Sequence, residues 1–465
     1  MDAGDKKELF EGMPIPKAIA VMAMPTIVSQ LVNLIYNIAD TFFIGRSGNT
    51  NMVAAVTLVF PLFMMTSSFS SLFGIGGGSL VARLIGQGSD DQAQKVSAFS
   101  FYGALAAAFV YSAVIALFLT PILHFLGASS ATVDYARQYV WAAIILGGVP
   151  TILAGTGAHL LRNVGYAKQA SIGLSGGGIL NMALDPLFMF VLLPKGWEVL
   201  GAALATMLSN AISFAYLLAM LIKVSGVSAV SVAPVRIKGI ERRYVRETLT
   251  VGIPSAVLAL LYDAANIVLN ALMAAYGDLA LAAIGIVMKA ERLPTVINIG
   301  ICQGMLPIVA YNCASGDHGR MKQAIRTARN VGLLVAGFSI VLFEVFAAPI
   351  VQFFLDTSVG SRGDSLKTIA FAVIFLRIRC LVAPSQLFNY HTSYCMQAIG
   401  DGPDTLLHAI VREIVLYIPL MLILNHVWGI YALAGTLVIS ESGAAVFASV
   451  LLGWKIKRLA VKSRV

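Results

Sequence analysis

Runs of about 20 apolar residues, the length a helix needs to cross bilayer hydrocarbon, recur twelve times along this sequence. In lipid, backbone N–H and C=O groups must be paired within the structure, so only helices and closed barrels span it. Barrel strands would show as short alternating segments, and there are none. The spans are predicted at 19–44, 53–73, 98–119, 140–161, 172–193, 200–222, 249–276, 280–312, 331–354, 369–388, 406–424 and 430–452. Composition agrees. Of 465 residues 58% are hydrophobic and 12% charged, with a mean hydropathy of +0.83, whereas a soluble domain carries about 25% charged residues. The expected fold class is an all-α polytopic membrane protein with 12 transmembrane helices.

Positive charge in loops marks the cytoplasmic side. One set of alternate loops carries Lys6, Lys7 and Lys17; Arg83 and Lys95; Arg162 and Lys168; Lys223, Arg236, Lys238, Arg242, Arg243 and Arg246; Arg320, Lys322, Arg326 and Arg329; and Lys455, Lys457, Arg458, Lys462 and Arg464. The other set holds only Arg46, Arg137, Lys195, Arg362 and Lys367. Both termini are therefore expected in the cytoplasm, and the net charge of +9 belongs to loops rather than to a nucleic-acid surface. The N-terminus, charged and followed by a full-length span, does not read as a cleaved signal. Cys302, Cys313, Cys380 and Cys395 form no CxxC pair, so buried structural thiols are expected.

An internal repeat divides the chain. A shift of 229 places Pro25 on Pro254, Asn37-Ile38 on Asn266-Ile267 and Gly48 on Gly277, and a shift of 235 places Gly165 on Gly400. Two pseudo-symmetric six-helix lobes are expected, an N-lobe over 1–223 and a C-lobe over 248–465, joined by a basic linker at 224–247. Six helices per half is an even number, so the repeat is parallel. A binding site between such repeats is a common plan of secondary transporters.

Polar groups inside spans are costly and face the bundle interior. Ser29, Asn33, Tyr36 and Asp40 fall on one face of span one. Asn181 and Asp185 stack one turn apart in span five, and Gly176-Gly177-Gly178 just before them suits close helix approach. Thr206, Asn210 and Ser213 form a third stripe, in span six. The second half holds Asp263, Asn266 and Asn270, then Lys289, Glu291 and Arg292, then Arg412 with Glu413, and Glu441. Gly173-Leu174-Ser175-Gly176-Gly177 fits GxSxG, but a nucleophilic serine needs a base in reach, and no histidine spacing supplies one. An intramembrane protease is the remote alternative and no enzymatic activity is expected. No phosphate-binding loop is present, so transport must draw on an ion gradient or a partner.

These segments, in order, resemble the multidrug and toxic compound extrusion (MATE) family, in its bacterial DinF-like and MepA-like branches. The matching stretches are Pro25 through Asp40-Thr41, Asn181-Met182-Ala183-Leu184-Asp185-Pro186, Gly201 through Thr206, Gly300-Ile301-Cys302-Gln303-Gly304 with Pro307, Tyr311 and Asn312, and Arg412 with Pro419. The resemblance implies a V-shaped pair of lobes with alternating access. It implies export of small organic, often cationic, compounds by antiport with H⁺ or Na⁺, without a cofactor, from a multi-pass monomer in the bacterial plasma membrane. It assigns the coupling ion to Asp40, Asn181, Asp185 and Thr206, with Tyr36 one turn before Asp40. Two carboxylates in one desolvated site repel, and a proton or Na⁺ relieves the repulsion. Ala158 stands where many members carry an Asn before the span-four Arg, and a missing oxygen weakens a Na⁺ cage more than a proton site. Asp263, Asn266, Lys289, Glu291, Gln303 and Arg412 are expected to shape a substrate cavity or a second-lobe site. A lipid-linked oligosaccharide flippase of the same superfamily, which needs a cationic cavity, is the alternative reading.

Overall fold

The computed structural model describes residues 8–356 and 365–462, and these are helical throughout, with no strand among them. Lys6, Lys7, Arg362 and Arg464, four of the basic residues used for orientation, lie outside the described residues. Ten helices are long and apolar enough to cross a membrane as single rods, and two bent pairs bring the number to twelve when each is one span. In chain order they are α1 (Ile15–Gly45), α2 (Thr50–Gly86), α3 (Asp90–Leu117), α4 (Val133–Leu146 with Gly148–Asn163), α5 (Ala167–Leu192) and α6 (Glu198–Ser225). There follow α7 (Arg242–Ala274), α8 (Leu279–Ala314), α9 (His318–Phe354), α10 (Lys367–Cys380 with Ala383–Ile399), α11 (Gly402–Trp428) and α12 (Ile430–Leu459). The bends are 47° in α4 and 50° in α10. Gly147 breaks the first, and Pro384 opens the second segment of α10, where a missing N–H is tolerated.

The helix ends repeat as the sequence does. Gly48 and Gly277 close α1 and α7 with φ of 71° and 101°, and Gly165 and Gly400 follow α4 and α10 with φ of 92° and 84°. A glycine at positive φ follows each of these helices, a backbone region that glycine enters without steric cost. Large apolar side chains such as Phe109, Val110, Leu334, Phe338 and Val450 are exposed on the perimeter, as lipid contact requires.

The two halves of the chain meet through bare backbone. A Cβ on Gly252 of α7 would lie 2.0 Å from the Leu72 carbonyl oxygen of α2, and one on Gly76 of α2 would lie 2.4 Å from that of Thr248. Gly304 of α8 abuts Ala23 of α1 in the same way, and Gly86 of α2 abuts Tyr311. All of these contacts lie toward the end of the bundle that carries the chain termini. The N-terminal turn Glu8–Gly12 seals the same end: Tyr311 donates to Glu11 at 2.6 Å, and the Arg320 guanidinium donates to the carbonyls of Phe10 and Met13.

Most of the cations assigned to loops lie on helix ends, and two of them are buried within the bundle. Arg83 and Arg162 lie inside α2 and α4 and are buried. Their helices run past the apolar stretch, and the arginine stems carry the charges inward to polar partners. The segment between α6 and α7 is not a loose tether. Ser97 of α3 bonds both backbone groups of Ser231, Tyr102 donates to Val232, and Arg236 pairs with Asp91 at 2.8 Å. Its last residues, Arg242 to Glu247, already belong to α7.

Candidate functional site

Asn181 and Asp185 sit on the buried face of α5, one turn apart. The Asn181 amide donates to Asp185 Oδ1 at 3.2 Å and to Thr206 Oγ1 of α6 at 3.4 Å. Gly177 and Gly178 make the approach possible. A Cβ on Gly177 would meet Ser213 of α6 at 1.9 Å, and one on Gly178 would meet Tyr36 and Val32 of α1 at 3.1 Å. Gly176 faces open space and has no such role. The glycine pair thus brings α1 to α5, and Asp40 comes within electrostatic reach of Asp185. The five first-half candidates, Tyr36, Asp40, Asn181, Asp185 and Thr206, converge.

Three oxygens at this point are buried and have no hydrogen-bond partner among the described residues: Asp40 Oδ1, Asn181 Oδ1 and Asp185 Oδ2. Buried polar atoms are nearly always satisfied, so an unpaired cluster needs a chemical explanation. A proton or a small cation supplies one, since all three are acceptors. The sequence reading missed Tyr139, buried in the first segment of α4 and coupled electrostatically to Asp40, Tyr36 and Asp185. A tyrosine in an apolar span carries no signal of its own without the neighbour that packs on it.

A cavity of about 240 Å³ adjoins the cluster. Tyr36, Asn181 and Thr206 line both. The polar stripes of α1 and α6 face this cavity through Asn33, Asn210 and Ser213, and α2 adds Thr66, Ser67, Ser70 and Ser71. Several of these groups are fixed: Ser213 donates to the Gly173 carbonyl at 2.9 Å, and Asn210 to Thr151 at 2.9 Å.

The second half is arranged differently. Glu291 and Arg379 form a buried two-bond pair at 2.6 and 2.9 Å. Arg412 pairs with Glu441 through contacts of 2.9 and 2.6 Å and stacks on Tyr390, while its sequence neighbour Glu413 stands farther off at 3.4 Å. Asn389 donates to Glu441, and its Oδ1 accepts from His408 Nε2 at 3.0 Å. Asn266 donates to the Tyr262 carbonyl of its own helix, and Asp263 faces Arg292. Only Gln303, whose amide donates to Tyr394 at 3.1 Å, reaches the cavity. Asp263, Asn266, Lys289, Glu291 and Arg412, expected to shape a substrate cavity or a second-lobe site, do not line this cavity and lie elsewhere in the second half. Ser175 lies in mid-helix, and its Oγ has no hydrogen-bond partner among the described residues, so the base that the protease alternative requires is not on it.

Comparison with known proteins places this geometry. A model of the MatE family matches residues 25–187 and 254–423, one stretch in each half. The multidrug export protein MepA of Staphylococcus saprophyticus is 27% identical over 454 residues, covering 97% of this chain and 96% of that protein. The protein of the same name from Staphylococcus aureus strain MRSA252 is 28% identical over 455 residues, with coverages of 97% and 96%. Among solved structures, MATE in complex with MaL6 superposes with a TM-score of 0.91 at 22% identity, over 98% of this chain and 99% of that one. An outward-facing multidrug resistance MATE family transporter of the MOP superfamily gives 0.88 at 23% identity, over 99% of each chain.

Proposed function

Since the chain belongs to the MatE family and is a membrane-spanning transporter, we propose that it exports small organic compounds in exchange for H⁺ or Na⁺, with the ion held at Asp40, Asn181, Asp185 and Thr206. The reading rests on one observation above all: three buried, unpartnered acceptor oxygens from α1 and α5 meet beside a polar cavity. Tyr36 and Tyr139 stand in electrostatic reach of both carboxylates, and Thr206 holds the Asn181 amide. Ala158, which supplies no oxygen ligand, favours H⁺ over Na⁺.

Binding of a cation removes the repulsion between Asp40 and Asp185 and lets α1 and α5 draw together. Loss of the cation restores the repulsion. The empty and loaded sites therefore favour different positions of α1 relative to α5, and α1 also carries the contact with α8 at Ala23 and Gly304. An ion that binds two arrangements unequally shifts their populations by its differential affinity. Alternating access follows if the halves part at the end where they now touch while the far end closes. The MepA proteins are named for multidrug export, and their similarity over nearly the full chain supports the same direction of transport here. On this reading both termini face the cytoplasm, which the basic alternate loops support, and the membrane is the bacterial plasma membrane.

The flippase alternative needs a strongly cationic cavity. Arg379 and Arg412, two buried cations of the second half, are each neutralised by a buried glutamate, so this site does not favour it. The test is efflux of fluorescent organic dyes, cationic and anionic in separate runs, from proteoliposomes with pH and Na⁺ gradients imposed one at a time. One gradient is expected to drive efflux, and Asp185→Asn is expected to abolish that dependence. Efflux indifferent to both gradients removes the antiport reading.

A further inference from the structure

Four arginines are buried among the described residues: Arg83, Arg162, Arg379 and Arg412. Three are compensated. Arg379 and Arg412 hold Glu291 and Glu441, and Arg83 donates to the carbonyls of Gln397 and Ala398 at the C-terminal end of α10, where the helix dipole is negative. Arg162 is the exception. Its one protein bond runs from Nη2 to the Ser29 hydroxyl at 3.4 Å, its Nε is buried without a partner, and no carboxylate pairs with it among the described residues. Its electrostatic neighbours are Tyr394 and His159. A guanidinium 5% exposed and unpaired is expensive, and this one lines the cavity.

The rest of the cavity wall fits the same reading. Arg162 is the one charged side chain among the lining residues if His159 is neutral, and the others are hydroxyls, amides, Tyr36 and small or apolar groups. No carboxylate lines it to receive an organic cation. Ser29 beside Arg162 and Tyr36 beside the ion site are seven residues apart on α1, about 10 Å along the axis. The cavity thus has a cationic end at Arg162 and a carboxylate cluster just behind its other end.

We propose that Arg162 is the docking point for a carboxylate-bearing organic compound, bound in this cavity with its anionic group on the guanidinium. One buried positive charge neutralises one negative charge, which selects a monoanion, and the planar fork of arginine matches a carboxylate through two parallel bonds. Gln30 of α1 and Gln303 of α8 line the same cavity and stand by as further donors. The proposal rests on the reading of the protein as an exporter, narrows its substrates, and departs from the cationic class that the family resemblance implies.

Binding separates the two ideas, because it needs no gradient. The probes are 7-diethylaminocoumarin-3-carboxylate and its neutral primary amide, titrated with the purified full-length protein by fluorescence anisotropy. Loss of a charge-assisted bond is worth about tenfold or more in affinity. The native protein should prefer the carboxylate by about that factor, Arg162→Gln should bring the ratio to near one, and Arg162→Lys should keep part of it. Equal binding of the two probes, no carboxylate binding, or a ratio unchanged in Arg162→Gln overturns the proposal. An Arg162 that only supports the fold would lower both affinities together and leave the ratio intact. Carboxylate preference with no response of transport to either ion gradient would leave the proposal standing and remove the antiport reading.

Discussion

Replacing Gly252 by alanine sets a methyl group 2.0 Å from the Leu72 carbonyl oxygen, where at least 3.0 Å is required. The backbones of α2 and α7 must therefore part by about 1 Å, since neither atom belongs to a flexible side chain. Overpacking of this kind costs about 1–3 kcal/mol. The cost falls on the arrangement in which the halves touch at the terminal end, and is relieved when that end opens. The equilibrium should move toward opening by about 5- to 150-fold. Thr248 of α7 is fully buried against Gly76 and Gly77 of α2, so a cysteine at this position reports on parting of the halves. In a background where the four native cysteines are replaced, maleimide labelling of Thr248→Cys should accelerate at least fivefold in Gly252→Ala. Gly176→Ala, whose Cβ meets nothing within 4 Å, is the control and should leave labelling unchanged. A labelling rate equal to the parent's, with no loss of thermal stability, would show that α2 and α7 do not meet as described and refute the reasoning.

Further outcomes follow from the buried groups. Arg379→Ala leaves Glu291 charged and unpaired, and should cost about 3–5 kcal/mol of stability, read as a lower melting temperature in detergent. The double change Glu291→Leu with Arg379→Met should recover most of it. Thr206→Val removes an acceptor of the Asn181 amide, and should weaken apparent affinity for the coupling ion by about tenfold, measured from the ion dependence of efflux, without loss of folded protein. Arg320→Ala frees the carbonyls of Phe10 and Met13, and should speed proteolysis of residues 8–14 several-fold at unchanged cleavage elsewhere.

Much of this was legible in the sequence where chemistry and period coincide. The twelve spans follow from hydropathy, and the repeat that aligns Gly48 with Gly277 and Gly165 with Gly400 reappears as matched positive-φ glycines after helix ends. The polar stripes of α1 and α6 do turn to one cavity, because a charge or amide in lipid has nowhere else to go. Pairings across helices were not legible. Arg412 looks paired with adjacent Glu413 in the sequence but is held mainly by Glu441 of the next helix, since neighbours in a helix point about 100° apart. Arg162 passes for a loop cation because only packing shows that its helix ends inside the bundle. Tyr139 is invisible for the same reason. The bends in α4 and α10 had a signal, Gly147-Gly148 with Pro150 and Ala383-Pro384, which hydropathy alone smooths over.

In the proposed antiport, ion and substrate movement are tied together through Asp40 and Asp185. This tie is read by imposing a substrate gradient alone, with no ion gradient, on proteoliposomes carrying an internal pH- or Na⁺-sensitive dye. Outward substrate flow is expected to drive the ion inward against its own rising gradient, and Asp40→Asn or Asp185→Asn to end this movement. Substrate flow through the native protein with neither ion moving would contradict it.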